Sequence, residues 1–69
     1  MGADRVNWPA RLKALRKTLG LTQVGLGAKW EINPNTIYRL ERGVYPVSGA
    51  IRALIRAEER LAELEGSEN

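Results

Sequence analysis

Residues 21–43 read LTQVGLGAKWEINPNTIYRLERG, and the order of apolar, capping and turn residues in this stretch decides the fold. Leu26 and Trp30 stand four apart, Ile32 falls in a break, and Ile37 and Leu40 stand three apart. Those spacings predict two short helices that bury one side each, with a tight turn between them. Thr22 suits the cap of the first, because its hydroxyl can accept from an unpaired first-turn N–H, and that helix runs to about Trp30. Asn33 followed by Pro34 starts the second, since proline at the first helical position sacrifices no hydrogen bond, and Gly43 ends it. The side of this second helix turned from the core carries Asn33, Asn35, Tyr38 and Arg39. These are amide, aromatic and cationic groups of the kind that read base edges and hold phosphates.

Working outward, Asn7 caps a first helix that tolerates Pro9 in its opening turn and stops at Gly20, a residue suited to the left-handed position beyond a helix end. Trp8, Leu12, Leu15 and Leu19 recur at steps of four, three and four and form its core stripe, with Arg11, Lys13 and Lys17 mainly off it. The helix after Thr22 contains Gly25 and Gly27, each costing up to ~1 kcal/mol relative to Ala. Gly27 reads as a point of close helix approach. Val44 to Pro46 is a loop, and Ser48 caps a last helix to about Glu65, before Gly66 and a polar tail expected to fray. That helix carries two stripes. Ile51, Ile55 and Leu54 form one, while Val47, Ala50, Leu54, Ala57, Leu61 and Leu64 alternate at steps of three and four, like a coiled-coil seam. Two readings of the second stripe stay open: a second subunit covers it, or Leu61 and Leu64 fold back over Trp8 and the first helix.

At 69 residues there is room for one small domain, spanning 1–69, whose core leaves little stability in reserve and for which dimerisation is the natural support. There is no cysteine and no histidine, so disulfides are excluded, a structural metal is not expected, and the commonest general base is missing. No cofactor is expected. Ser48 and Ser67 lack a histidine partner, no glycine loop of phosphate-cradling type exists, and the glutamates of the last helix read as a solvated face, all of which argue against an enzyme. No apolar run approaches a membrane span, and the opening MGADRV has neither a signal-peptide core nor a myristoylation pattern, so a cytoplasmic protein is expected. The net charge of +3 is unevenly spread. Residues 1–43 hold eight cations against three carboxylates, a balance of +5, and residues 44–69 hold three against five, a balance of −2. A polyanion should meet the first part.

The stretch from Leu12 to Pro46 resembles the Cro/C1 type of helix-turn-helix regulator, the XRE family of phages and bacteria. The resemblance covers about half the chain. It rests on Leu12, Leu15, Arg16, Leu19, Gly20, Leu21-Thr22-Gln23, Leu26, Gly27, Ile32, Thr36, Ile37, Arg39, Leu40 and the closing Glu41-Arg42-Gly43. It implies an all-α, lambda-repressor-like bundle of four to five helices, with the helix-turn-helix at about 22–42 and a dimerising helix at about 48–65. Gln23 matches the family's phosphate-facing glutamine, which also braces the first residues of the recognition helix. Thr22, Thr36 and Arg42 match backbone-contacting positions, and Arg16 with Glu41 matches an internal ion pair. Asn33, Asn35, Tyr38 and Arg39 then face bases, with Asn35 suited to adenine and Arg39 to guanine. Three positions depart from the family. Glu31 stands where the turn usually has Gly, which strains a left-handed backbone by ~1 to 2 kcal/mol. Pro34 replaces a base-reading side chain, which shifts readout to Asn33, Asn35 and Arg39. Trp30 replaces a smaller aliphatic and is expected to join the core, its indole N–H offering an alternative contact to the DNA backbone.

The resemblance implies a homodimeric repressor or autorepressor that binds double-stranded DNA at a palindromic operator, with Leu54, Ala57, Leu61 and Leu64 as dimer candidates. A phage repressor, a restriction-modification controller and an anti-CRISPR-associated regulator all fit. The alternative is an antitoxin-like module that binds a partner protein through its last helix.

Overall fold

A computed structural model describes residues 6–67, so most of the opening segment read for targeting signals and the end of the polar tail lie outside the described residues. Four helices follow in order: α1 (Trp8–Thr18), α2 (Gln23–Trp30), α3 (Pro34–Glu41) and α4 (Gly49–Ser67). The fold is a small all-α bundle, at the lower end of the four to five helices expected.

The starts are capped as the side-chain chemistry requires. Asn7 Oδ1 accepts from the Ala10 N–H at 3.1 Å, Thr22 Oγ1 from Gly25 at 3.0 Å, Asn33 Oδ1 from Asn35 at 2.8 Å, and Ser48 Oγ from Ile51 at 3.2 Å. The first three helices also end alike. Beyond α1, the Gly20 N–H reaches the Lys17 carbonyl at 3.0 Å and the Leu21 N–H reaches Arg16 at 3.1 Å. Beyond α3, Gly43 bonds Leu40 at 3.2 Å and Val44 bonds Arg39 at 2.9 Å. These are Schellman closures, which need a left-handed residue, and Gly20 and Gly43 supply it at φ 71° and 77°. After α2 the Ile32 N–H closes on Gly27 at 2.8 Å, but the left-handed residue there is Glu31, at φ 58°. The left-handed position where strain is expected is therefore held by a glutamate, and the closing hydrogen bond forms there.

Gly27 explains why that turn fits. A Cβ at this position would lie 2.4 Å from the Ile32 carbonyl oxygen and 3.4 Å from Pro34. Only a bare backbone lets α2 approach the chain entering α3 so closely.

The core consists of Trp8, Leu12, Leu15, Leu26, Ile37, Leu40, Val47 and Ile55, with Leu19, Leu21, Trp30, Ile32 and Ile51 packed around it. All four α1 stripe positions are in this set, and Trp30 joins as expected. Its indole N–H points to Glu58 of α4 at 3.4 Å, so that donor is used within the fold.

Helix α4 departs from its sequence reading at Val47, at Leu54 and in its glutamates, and it rules out one of the two readings left open for Leu61 and Leu64. Val47 is not part of an outer seam but buried, because it precedes the helix and the helical register does not apply to it. Leu54 does not share the core with Ile51 and Ile55; it is exposed. Leu61 and Leu64 do not fold back over Trp8, and they stay 54% and 55% exposed. The ring of Trp8 is instead covered by the guanidinium groups of Arg11, Arg52 and Arg56, at 4.6, 5.3 and 5.2 Å from its centroid. Finally, the glutamates are not all on a solvated face. Glu59 takes a two-pronged bond from Arg11 of α1 at 2.8 and 2.7 Å, which holds that guanidinium charged above its usual range. Glu58 lies 3.4 Å from Lys29 at the end of α2. Two carboxylates thus attach α4 to both α1 and α2. The helix itself runs on to Ser67, slightly past the expected end.

Candidate nucleic-acid interface

Helix α3 is eight residues long and held from one side. Ile37 and Leu40 are buried on the core side, and Glu41 joins them with its side chain only 4% exposed. Asn35 and Arg39 stand one turn apart on the opposite side, flanked by Tyr38 and Arg42, and all four are exposed. The side chain of Asn35 has no partner among the described residues. The guanidinium of Arg39 lies 5.9 Å from the centroid of the Tyr45 ring, and that of Arg42 lies 5.5 Å from Tyr38. Neither arginine pairs with a carboxylate among the described residues. The structure thus brings four of the expected contact residues together as one polar, cationic surface.

Asn33 is placed differently. Its Oδ1 accepts from the Asn35 N–H, so the side chain serves as the helix cap and is oriented by that bond. Thr36 is half-buried at the edge of the surface, and Thr22 is exposed at the start of α2, where its hydroxyl caps the helix.

The pose of α3 relative to α1 is set by charge. Arg16 Nε donates to Glu41 Oε2 at 2.6 Å, Arg16 Nη2 donates to Oε1 at 3.1 Å, and Nη1 donates to the Leu21 carbonyl at 3.0 Å. The arginine side chain is 13% exposed, and the hydrogen bonds it donates to Glu41 raise its pKa despite the opposing effect of burial. The ion pair expected from the resemblance is therefore formed, and it joins the middle of α1 to the last residue of α3. Gln23 Nε2 adds a third donor to Glu41, at 3.2 Å. This corrects one detail: Gln23 braces the end of α3, not its first residues. Removing Arg16 or Glu41 leaves the other as a nearly buried charge without its partner, a loss of ~3 to 5 kcal/mol.

A first helix, a capped second helix, a left-handed turn and a third helix with a bare polar face form one recurring arrangement. A family model described as a helix-turn-helix domain matches residues 10–64. The chain belongs to that family. No curated protein and no solved structure matches it. Within the matched residues α2 and α3 are the helices paired across the tight turn, and α1 supports them. The domain points to DNA as the partner and to a regulatory role. Among the described residues, no helix is long and apolar enough to cross a membrane.

Tyr45 is the residue that sequence reasoning passed over. Its signal was present, an aromatic two residues past the closing glycine, but only the turn at Gly43 brings it beside Arg39.

Proposed function

We propose that this chain is a sequence-specific regulator that binds double-stranded DNA as a homodimer and represses by occupying an inverted-repeat operator. The observation that carries the reading is the joint exposure of Asn35 and Arg39 on the outer side of a helix whose inner side is fixed by Ile37, Leu40 and the Arg16–Glu41 pair. A helix held this way fits a major groove, and its two outward groups match the donor and acceptor edges of adenine and guanine. Asn35 and Arg39 read bases. Tyr38 packs on a thymine methyl or reaches a phosphate, Asn33 offers its remaining amide donors, and Thr22, Gln23, Thr36 and Arg42 contact the backbone.

The dimer is built on α4. Leu54, Ala57, Leu61 and Leu64 recur at steps of three, four and three, and all are exposed, which supports a seam between two copies. A two-fold dimer places its recognition helices in successive major grooves, about 10 to 10.5 bp apart.

Two variants test the reading. Arg39→Ala loses discrimination at one base pair in each half-site, worth ~1 to 3 kcal/mol, with the fold intact. Arg42→Ala weakens binding to every sequence and lowers the slope of log K against log salt by about 1 per subunit. A uniform loss for Arg39→Ala, or an unchanged slope for Arg42→Ala, refutes the assigned roles.

A further inference from the structure

The loop after α3 is fixed at both ends. Its entry is the Schellman closure at Gly43, which turns the chain back along the last turn of α3, and its exit is the buried side chain of Val47. Between them Tyr45 precedes Pro46, and a residue before proline is restricted to extended backbone. The Tyr45 ring lies at the surface, 45% exposed, with the Arg39 guanidinium 5.9 Å from its centroid. The Tyr45 hydroxyl makes no hydrogen bond among the described residues, and the Arg39 guanidinium is the cation over its ring.

We infer that Tyr45 is a specificity-determining positioning residue that holds the Arg39 guanidinium against its ring and thereby aims it at one base. The inference rests on the DNA-reading role proposed for Arg39. A free arginine on a helix surface samples many rotamers, and ordering it on a guanine edge costs that freedom. A guanidinium kept within cation–π range of an aromatic ring loses part of it, while its N–H donors remain available for the two-pronged bond to guanine O6 and N7. The ring face supplies the attraction, so the tyrosine hydroxyl is dispensable. Arg42 and Tyr38 form a similar pair one turn away, but a phosphate contact tolerates misalignment that a base contact does not.

The test uses the full chain and its preferred duplex together with single-base variants of that duplex. Tyr45→Leu is expected to reduce the preference at the base pair read by Arg39 by about two- to fivefold, with other positions unchanged. Tyr45→Phe keeps the preference, and Tyr45→Leu has no further effect in an Arg39→Ala background. In the free protein, Tyr45→Leu shifts the Arg39 side-chain NMR signals by removing the ring current, and Tyr45→Phe does not. Three results overturn the inference alone: equal weakening on all duplexes, a Phe variant as impaired as the Leu variant, or an Arg39 signal indifferent to the ring. A wild-type chain with no preference among duplexes overturns the proposed function, and this inference with it.

Discussion

One added methyl group at residue 27 separates packing from helix propensity. Gly25 and Gly27 both lie inside α2, and by propensity alone an alanine at either site stabilises the helix by up to ~1 kcal/mol. Their surroundings differ. A Cβ on Gly27 stands 2.4 Å from the Ile32 carbonyl oxygen, about 1 Å inside ordinary contact. That oxygen is backbone, two residues before Pro34, so it retreats only if the turn and the entry to α3 move with it. Overpacking costs ~1 to 3 kcal/mol, and a backbone obstacle places this site near the upper end. Set against the propensity gain, Gly27→Ala is expected to lose about 2 kcal/mol. For a chain of this size that is a fall of about 8 to 16 °C in Tm. A Cβ on Gly25 meets the Leu21 Cδ2 methyl at 3.3 Å and the Thr22 hydroxyl at 3.4 Å. The Leu21 methyl can rotate aside, so Gly25→Ala is expected to be neutral or stabilising, by at most ~1 kcal/mol. Urea and thermal unfolding followed by circular dichroism measure both. A Gly27→Ala chain as stable as Gly25→Ala refutes the close approach of α2 to the turn.

Two further perturbations check other parts of the structure. Glu31→Gly removes ~1 to 2 kcal/mol of left-handed strain but loosens the unfolded chain by ~0.4 to 1 kcal/mol, so a net gain of about 0.5 to 1 kcal/mol in unfolding free energy is expected, read as a higher urea midpoint. A loss would show that the Glu31 side chain stabilises the turn by some other contact. Leu61→Arg places a charge on the exposed apolar face of α4 and is expected to yield monomers of low operator affinity with an unaltered helical signal. A dimer by sedimentation places the interface elsewhere.

What could be read from the sequence was what short-range rules govern. Asn7, Thr22, Asn33 and Ser48 cap the residues two or three places ahead, and Gly20 and Gly43 sit where a left-handed residue is needed, so these boundaries follow from local chemistry. The resemblance supplied the Arg16–Glu41 pair, which periodicity alone does not reveal. Contacts made across long separations were not legible. Helix α4 reaches back to Arg11, Lys29 and Trp30 through two glutamates that, in sequence, resemble any solvated acidic face. The apolar count along α4 misled because it was carried upstream to Val47, where no helix exists, and because Leu54 suits either stripe. On the outer side of α3, Asn35, Tyr38 and Arg39 lie together because helical spacing requires it. Tyr45 joins them only through a loop closure. The cap on α3 and the outward amide were both assigned to Asn33, and the geometry uses its oxygen for the cap.

Selection of bound duplexes from a random pool by the purified chain tests the central claim most directly. The account predicts one enriched sequence made of two inverted halves, centred about 10 to 10.5 bp apart, with enrichment at one position in each half lost for Arg39→Ala. Retention of duplexes with no common sequence, at a salt concentration where the chain still binds, would contradict it.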